Sequence, residues 1–393
     1  LKRLALDQQQ YLTDLRRQFH ARPELSSREF ETRGVILREL RDMGIPCDPV
    51  EGTGVIGVIR GGLPGPVRVL RADMDALPIQ EDARNLKREK ACVSAVPGVS
   101  HACGHDAHMA MLLGAARVLA GLREQLPGTV LCCFEEAEET TAGADSMLRA
   151  LERYPVASCF ALHVYAGLDA GRIDLSPGPR MAGTVRIDLD ILGRSGHGSR
   201  PDQALNPIIP AAHTVTQLES AFHGRFSPRD GVTLGLCVLQ AGELYNVIPD
   251  TAHIAGSARF FRPEDGQRAL DMICGIARST AEAHGCRVRF GPENRISLQP
   301  VVSDAGEAAR VRNAVCRIMG DGTAAACEPW YASESFSRCL QRWPGALGLL
   351  GIRDPEYGSG AAHHSAQFDL DESVLPLGVA ALAADVLDTA ETP

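Results

Sequence analysis

Residues 183–192 read GTVRIDLDIL, and within them Val185, Ile187, Leu189 and Ile191 alternate with polar or charged neighbours. A period of two puts all four apolar side chains on one face, as in a half-buried strand of an open sheet. The sequence beyond predicts a helix over 208–222, strands over 232–239 and 251–260, a helix over 266–284 and a strand over 287–290. Together these make βαββαβ, the ferredoxin-like order.

The flanks read differently. Tyr11, Leu12, Leu15 and Phe19 fall at helical spacing, and a second helix is expected over 27–43. Two β-rich runs, 55–60 and 67–71, are separated by GGLPGP and read as a hairpin or neighbouring strands. A long helix should follow His105, with Met109, Leu112, Leu113 and Ala116 on its buried face, ending near Leu126. Then come a strand at 129–134, a helix at 144–154 and a strand at 157–163. Past Pro300 the pattern resumes with a helix at 305–319, a strand at 346–352 and a closing helix at 373–387. Strands alternating with helices predict an α/β layer fold with a largely parallel sheet. At 393 residues the chain exceeds what one core usually organises. The expected architecture is α/β: a discontinuous α/β/α domain (1–181 and 297–393) with a mostly parallel sheet, interrupted by a smaller ferredoxin-like α+β domain (182–296).

A net charge of −9, with no basic run, gives no electrostatic footprint for nucleic acid and favours a small-molecule partner. No apolar stretch approaches the roughly 18 residues that cross a bilayer. No secretory apolar segment follows Leu1, so a cytoplasmic location is expected. The twelve cysteines are scattered singly except for Cys132 and Cys133, and most lie in apolar runs where a reduced thiol packs as a small hydrophobe. Cys103 is the exception.

It belongs to HACGHDAH, His101 to His108, where three histidines, a cysteine and an aspartate fall within eight residues. Packing rarely needs that density, whereas imidazole and thiolate are standard transition-metal donors. FEEAEE, Phe134 to Glu139, follows a predicted strand. Its four carboxylates would repel one another in a dry site unless a cation or proton neutralised some of them. Taken alone it could be a solvated acidic turn, but open α/β sheets place their sites at the carboxyl ends of strands. His163 ends another strand, and His363 and His364 sit in a Gly- and Ala-rich loop. RADMDALP, Arg71 to Pro78, adds Asp73 and Asp75, which suit an orienting role behind metal ligands.

These segments, with LHV (162–164), GHGSRPD, NVIPD (246–250) and HHSAQFDLDE, resemble the aminoacylase/carboxypeptidase superfamily of dimetal amidohydrolases. More narrowly they resemble its branch of hippurate hydrolase, indole-acetyl-amino-acid hydrolases and N-acetyl-diaminopimelate deacetylase. The matches run in order over nearly the whole chain.

The resemblance implies that Cys103, His105, Glu139, His163 and His364 hold two divalent ions (zinc, manganese, cobalt or nickel), with Glu138 as general base. It makes the smaller domain a lid and dimerisation domain. There His197 would reach a neighbouring subunit's site in a homodimer, and Asn246 and Arg259 would hold a substrate carboxylate. The implied activity is hydrolysis of N-acyl amino acids or small peptides bearing a free carboxylate. Two other readings stand beside it: a thiol hydrolase using Cys103, and an inactive member that binds a small acidic ligand. The chain departs from the family pattern at Glu135 and Glu136, where Gln and Pro are usual. It departs again at Asp202 in place of His and at Ser335 in place of Asp.

Overall fold

The helix His105–Gly121 is buried on nearly every side, from His105 through Leu119. A helix apolar all round belongs in the middle of a core. Around it the computed structural model, which describes residues 1–387, forms the larger of two units: Leu1–Gly178, Val302–Glu328 and Arg338 onward. The closing helix Leu375–Leu387 is equally apolar and joins the same core.

The sheet of this unit has eight strands. In spatial order they are Cys47–Pro49, Val55–Arg60, Pro127–Glu135, Leu63–Asp73, Val156–Asp169, Gly345–Arg353, Ile173–Asp174 and Ala324–Ala325. The four from Pro127–Glu135 to Gly345–Arg353 are mutually parallel and carry the centre of the fold. The fold class is mixed α/β with a large, mostly parallel sheet.

One expectation fails here. Val55–Arg60 and Leu63–Asp73 are neither a hairpin nor neighbours, because Pro127–Glu135 lies between them, antiparallel to the first and parallel to the second. The glycines of GGLPGP make room for that inserted strand instead of turning a hairpin. Gly61 donates its N–H to the Gly128 carbonyl, and a Cβ on Gly61 would lie 2.0 Å from the Leu126 carbonyl oxygen.

The second unit comprises Pro179–Val301 and Pro329–Ser337. Its sheet runs Thr233–Ala241, Thr251–Phe260, Gly183–Leu192, Arg287–Phe290, with Ile296–Leu298 also on Gly183–Leu192, and every pairing is antiparallel. Val185, Ile187, Leu189 and Ile191 are all buried and share a core with helices Ile208–Arg225 and Pro263–Ala283. Burying each such side chain contributes about 1.5–3 kcal/mol. Arg186, Asp188 and Asp190 point the other way, which leaves that face polar.

Candidate metal centre

Parallel register brings the chemistry together. Asp73 stands opposite Glu135 on the neighbouring strand, and His163 opposite Leu349. The carboxyl ends of the central strands therefore open onto one place, where such sheets put their sites. The central helix starts there too. Its N-cap, Gly104, has φ 91°, and a Cβ at that position would come within 2.4 Å of Val164 Cγ2. Only glycine fits, and it lets the chain turn between Cys103 and His105.

Hydrogen bonds fix which ring nitrogen faces inward. His105 Nδ1 lies 2.9 Å from the Asp75 carbonyl and 3.2 Å from Asp75 Oδ1. It therefore carries the proton and presents a bare Nε2. His163 Nδ1 donates to the Val164 carbonyl at 2.7 Å, and its Nε2 lies 3.7 Å from Cys103 Sγ. His364 has φ 63°, held by its N–H on the Ala102 carbonyl at 2.9 Å, and its Nε2 lies 3.4 Å from Glu139 Oε1. A non-glycine residue in this region costs on the order of 1–3 kcal/mol and persists where surrounding contacts enforce it.

Donor atoms of Cys103, Glu139 and His364 lie within 4.8 Å of one another, as do those of His105, Glu138 and Glu139, and those of Asp73, His105, His108 and His163. His105 Nε2 and Glu139 Oε1 are buried with no hydrogen-bond partner. Each such atom costs roughly 1–3 kcal/mol if left unsatisfied, and a divalent cation would satisfy both. With thiolate, imidazole and carboxylate gathered in one place, the residues fit a transition-metal site.

Behind them, Asp75 Oδ2 accepts from Ser26 Oγ at 2.6 Å and from the Glu139 N–H at 3.1 Å, tying the loop that carries Glu139 to His105. Arg71 donates to Asp73 at 2.9 Å and to Glu135 at 2.8 Å. The unusual Glu135 is thus neutralised by a guanidinium.

Burial alone would raise Asp73. Its contacts with His105, His108 and Arg71 outweigh that and hold the carboxyl well below its usual range. Burial pulls His163 down, favouring the neutral form that a metal site would need. Burial pushes the Cys103 thiol up, the opposite of what an activated metal-free nucleophile needs.

Two members of HACGHDAH do other work. Asp106 turns away to the helix Gln9–Ala21, taking Arg16 Nε and His20 Nδ1 at 2.7 Å each. His20 Nε2 continues to Glu81 at 2.9 Å, and Lys90 Nζ meets the same oxygen. His108, counted among the donors of HACGHDAH but given no role of its own from the sequence, accepts the Val164 N–H at Nε2 and faces Asp73 with Nδ1. Its signal was its place three residues after His105, on the same helix face. His363 Nε2 accepts the Ala166 N–H, 3.2 Å, whereas His364 turns to Glu139.

His197, Asn246 and Arg259 belong to the second unit. His197 pairs with Val247 in a short ladder, and the Asn246 carbonyl accepts the Gly198 N–H at 2.8 Å. His197 is exposed. Its Nδ1 accepts from the Ser199 N–H at 3.1 Å, which leaves the proton on Nε2. Arg259 donates to Thr184 Oγ1 at 2.6 Å and to Ser333 Oγ. Asp202 is paired with Arg200 at 2.8 Å, and Ser335 is buried beside Glu334.

An open α/β sheet with His, Cys and Glu donors gathered at its strand ends defines a metallohydrolase architecture. Residues 69–387 match the model of peptidase family M20/M25/M40. The chain is 33% identical to IAA-amino acid hydrolase ILR1-like 5 of Arabidopsis thaliana over 98% of this chain and 88% of that one. It is 34% identical to N-acetylcysteine deacetylase of Bacillus subtilis, over 96% and 97%. Among solved structures it superposes on the Bacillus subtilis YXEP protein, a dinuclear metal-binding peptidase of the M20 family. The TM-score is 0.81 at 32% identity, covering 97% and 99% of the two chains. The protein belongs to the M20 peptidase family and is a metal-dependent amidohydrolase. No helix among the described residues is long and apolar enough to cross a membrane.

Proposed function

We propose that the protein hydrolyses the amide bond of N-acyl amino acids or small peptides that carry a free carboxylate. Two divalent ions would sit on Cys103, His105, Glu139, His163 and His364. Bound there, they would supply Lewis-acid polarisation of the scissile carbonyl and acidify a water. Glu138 is the general base, taking the water's proton and passing it to the leaving amine. The observation that carries this reading is the grouping of a Glu138 carboxylate oxygen with donor atoms of His105 and Glu139 inside 4.8 Å.

In the second unit, Arg259 suits a carboxylate because its planar fork binds two oxygens at once. Asn246 would share that task. The Nε2 proton of His197 is the one available to a carbonyl oxygen, offered to a neighbouring subunit of a homodimer. Relatives named for IAA-amino acid and N-acetylcysteine substrates support the substrate class. Zinc, manganese, cobalt and nickel all suit mixed Cys, His and Glu ligands. A cytoplasmic setting suits twelve cysteines scattered along the sequence with no CxxC pair.

The test is hydrolysis of N-acetyl and N-benzoyl amino acids and dipeptides, before and after chelation and with metals restored singly. Activity that vanishes on chelation and returns with one ion supports the reading. Turnover indifferent to chelation contradicts it.

A further inference from the structure

Glu136 occupies the position where the family pattern has proline, directly before the segment that carries Glu138 and Glu139. Although charged, it is buried. Its Oε2 accepts the Thr53 N–H and lies 2.5 Å from Thr53 Oγ1, while Ser146 Oγ approaches Oε1 at 3.3 Å. Two glycines make the cradle. A Cβ on Gly52 would sit 2.1 Å from the Glu136 carboxylate, and one on Gly143 would sit 1.9 Å from the Glu136 carbonyl oxygen.

On the other side of Thr53 stands Glu29, fully buried, with Oε2 at 2.7 Å from the same hydroxyl. Glu29 Oε1 accepts the N–H of Ala137 at 2.8 Å. Ala137 lies between Glu136 and Glu138 and has φ 52°, a backbone conformation that alanine rarely adopts. The strained residue is therefore gripped twice, through the side chain of the residue before it and through its own N–H.

We propose that Glu136, Thr53 and Glu29 form a clamp that holds Ala137 left-handed and thereby aims Glu138. The three are positioning residues, and the proposal rests on the reading of Glu138 as the base. Thr53 has one hydroxyl proton and two carboxyl neighbours, so the chain closes only when one carboxyl keeps its own proton. Glu136 Oε2 already accepts the Thr53 N–H and so is the acceptor end, while burial pushes Glu29 up, which leaves Glu29 as the holder. The order is then Glu29 carboxyl to Thr53 hydroxyl to Glu136 carboxylate. A proline at 136 could take no part, so this way of fixing the loop belongs to this chain's own sequence.

The experiment uses the full-length, metal-loaded protein with N-acetyl-L-methionine, N-acetyl-L-cysteine and N-benzoylglycine as probes. Thr53→Val removes the hydroxyl at nearly constant volume, and Thr53→Ser keeps it. The expected result for Thr53→Val is a kcat lowered about tenfold to a hundredfold with KM little changed. Its metal content per chain should match wild type, and the Ala137 amide should exchange about tenfold faster. Thr53→Ser should recover most of the kcat.

Wild-type kcat in Thr53→Val, unchanged Ala137 exchange, or a loss of activity that tracks loss of metal would each overturn the clamp. If Thr53→Val does not fold, Glu136→Ala is read by the same measurements. Glu138→Gln separates the two claims. Its full activity sinks the base assignment, whereas full activity in Thr53→Val beside an inactive Glu138→Gln sinks only the clamp.

Discussion

His108 Nδ1 lies 2.6 Å from Asp73 Oδ1, and His108 Nε2 accepts the backbone N–H of Val164 at 2.9 Å. With Nε2 accepting, the proton must be on Nδ1, so the ring donates to Asp73 and has no lone pair left for a metal. His108 therefore ties the helix bearing His105 to the strands ending in Asp73 and His163. Replacing His108 with Phe should weaken metal binding or turnover about tenfold to a hundredfold. Titration of metal into the stripped variant checks this; wild-type affinity and rate together would show the link to be dispensable.

Gly104→Ala forces a side chain into a left-handed position against Val164. We expect loss of one or both ions and destabilisation of about 1–3 kcal/mol, read by metal analysis and by denaturant unfolding. An alanine variant of normal stability and metal content would refute the steric argument.

Much of this was legible in the sequence, for a physical reason. Strand alternation at Val185–Ile191 and the helical spacing of Met109, Leu112, Leu113 and Ala116 are periodic signals that depend only on local chain geometry, although the helix is buried on nearly every side and not on one face alone. The donor density around Cys103 and His105 was legible because three histidines, a cysteine and an aspartate rarely share eight residues for packing alone, whereas Glu138 and Glu139 drew notice only from their place after a strand and from the family resemblance. What escaped was non-local. Nothing local to 55–71 announces that residues 127–135 will insert between its two strands. Asp106 could not be separated from the donor set without knowing that Arg16 and His20 reach it from 86 to 90 residues away. Glu136 read as excess charge beside the metals, because Thr53 and Glu29 are distant in sequence.

Arg259→Lys keeps the charge but loses the fork. If Arg259 binds a substrate carboxylate, KM should rise roughly tenfold while kcat changes less, the pattern of lost uniform binding. Steady-state kinetics on an N-acetyl amino acid and on its carboxamide decide it. The variant should narrow the gap between the two substrates, and an equal effect on both would contradict the assignment.

The buried network of Arg16, His20, Glu81, Lys90 and Asp106 predicts a pH signature. Burial alone would raise Glu81, but His20, Lys90 and the Ser94 N–H outweigh it and bring its value from 4.5 to about 2. Between those values the unfolded chain binds the extra proton, so this stabilisation is complete above 4.5 and fades as pH falls toward 2. His20 behaves oppositely. Burial and Arg16 would lower it, yet Asp106 and Glu81 raise it above 6.5, so its contribution is present below 6.5 and fades as pH rises through the raised value. Calorimetry of wild type and Glu81→Gln should show a difference in Tm that is largest between 4.5 and 6.5 and shrinks toward pH 2. A difference independent of pH would rule this network out.

If Glu138 is the general base of this metal site, Glu138→Gln should keep its ions and lose its rate, with metal content and turnover measured on the same sample. The expected result, if Glu138 has that role, is the wild-type number of ions per chain with turnover lowered about 10²- to 10⁴-fold. A Glu138→Gln protein that keeps both its metal and its full rate would contradict it.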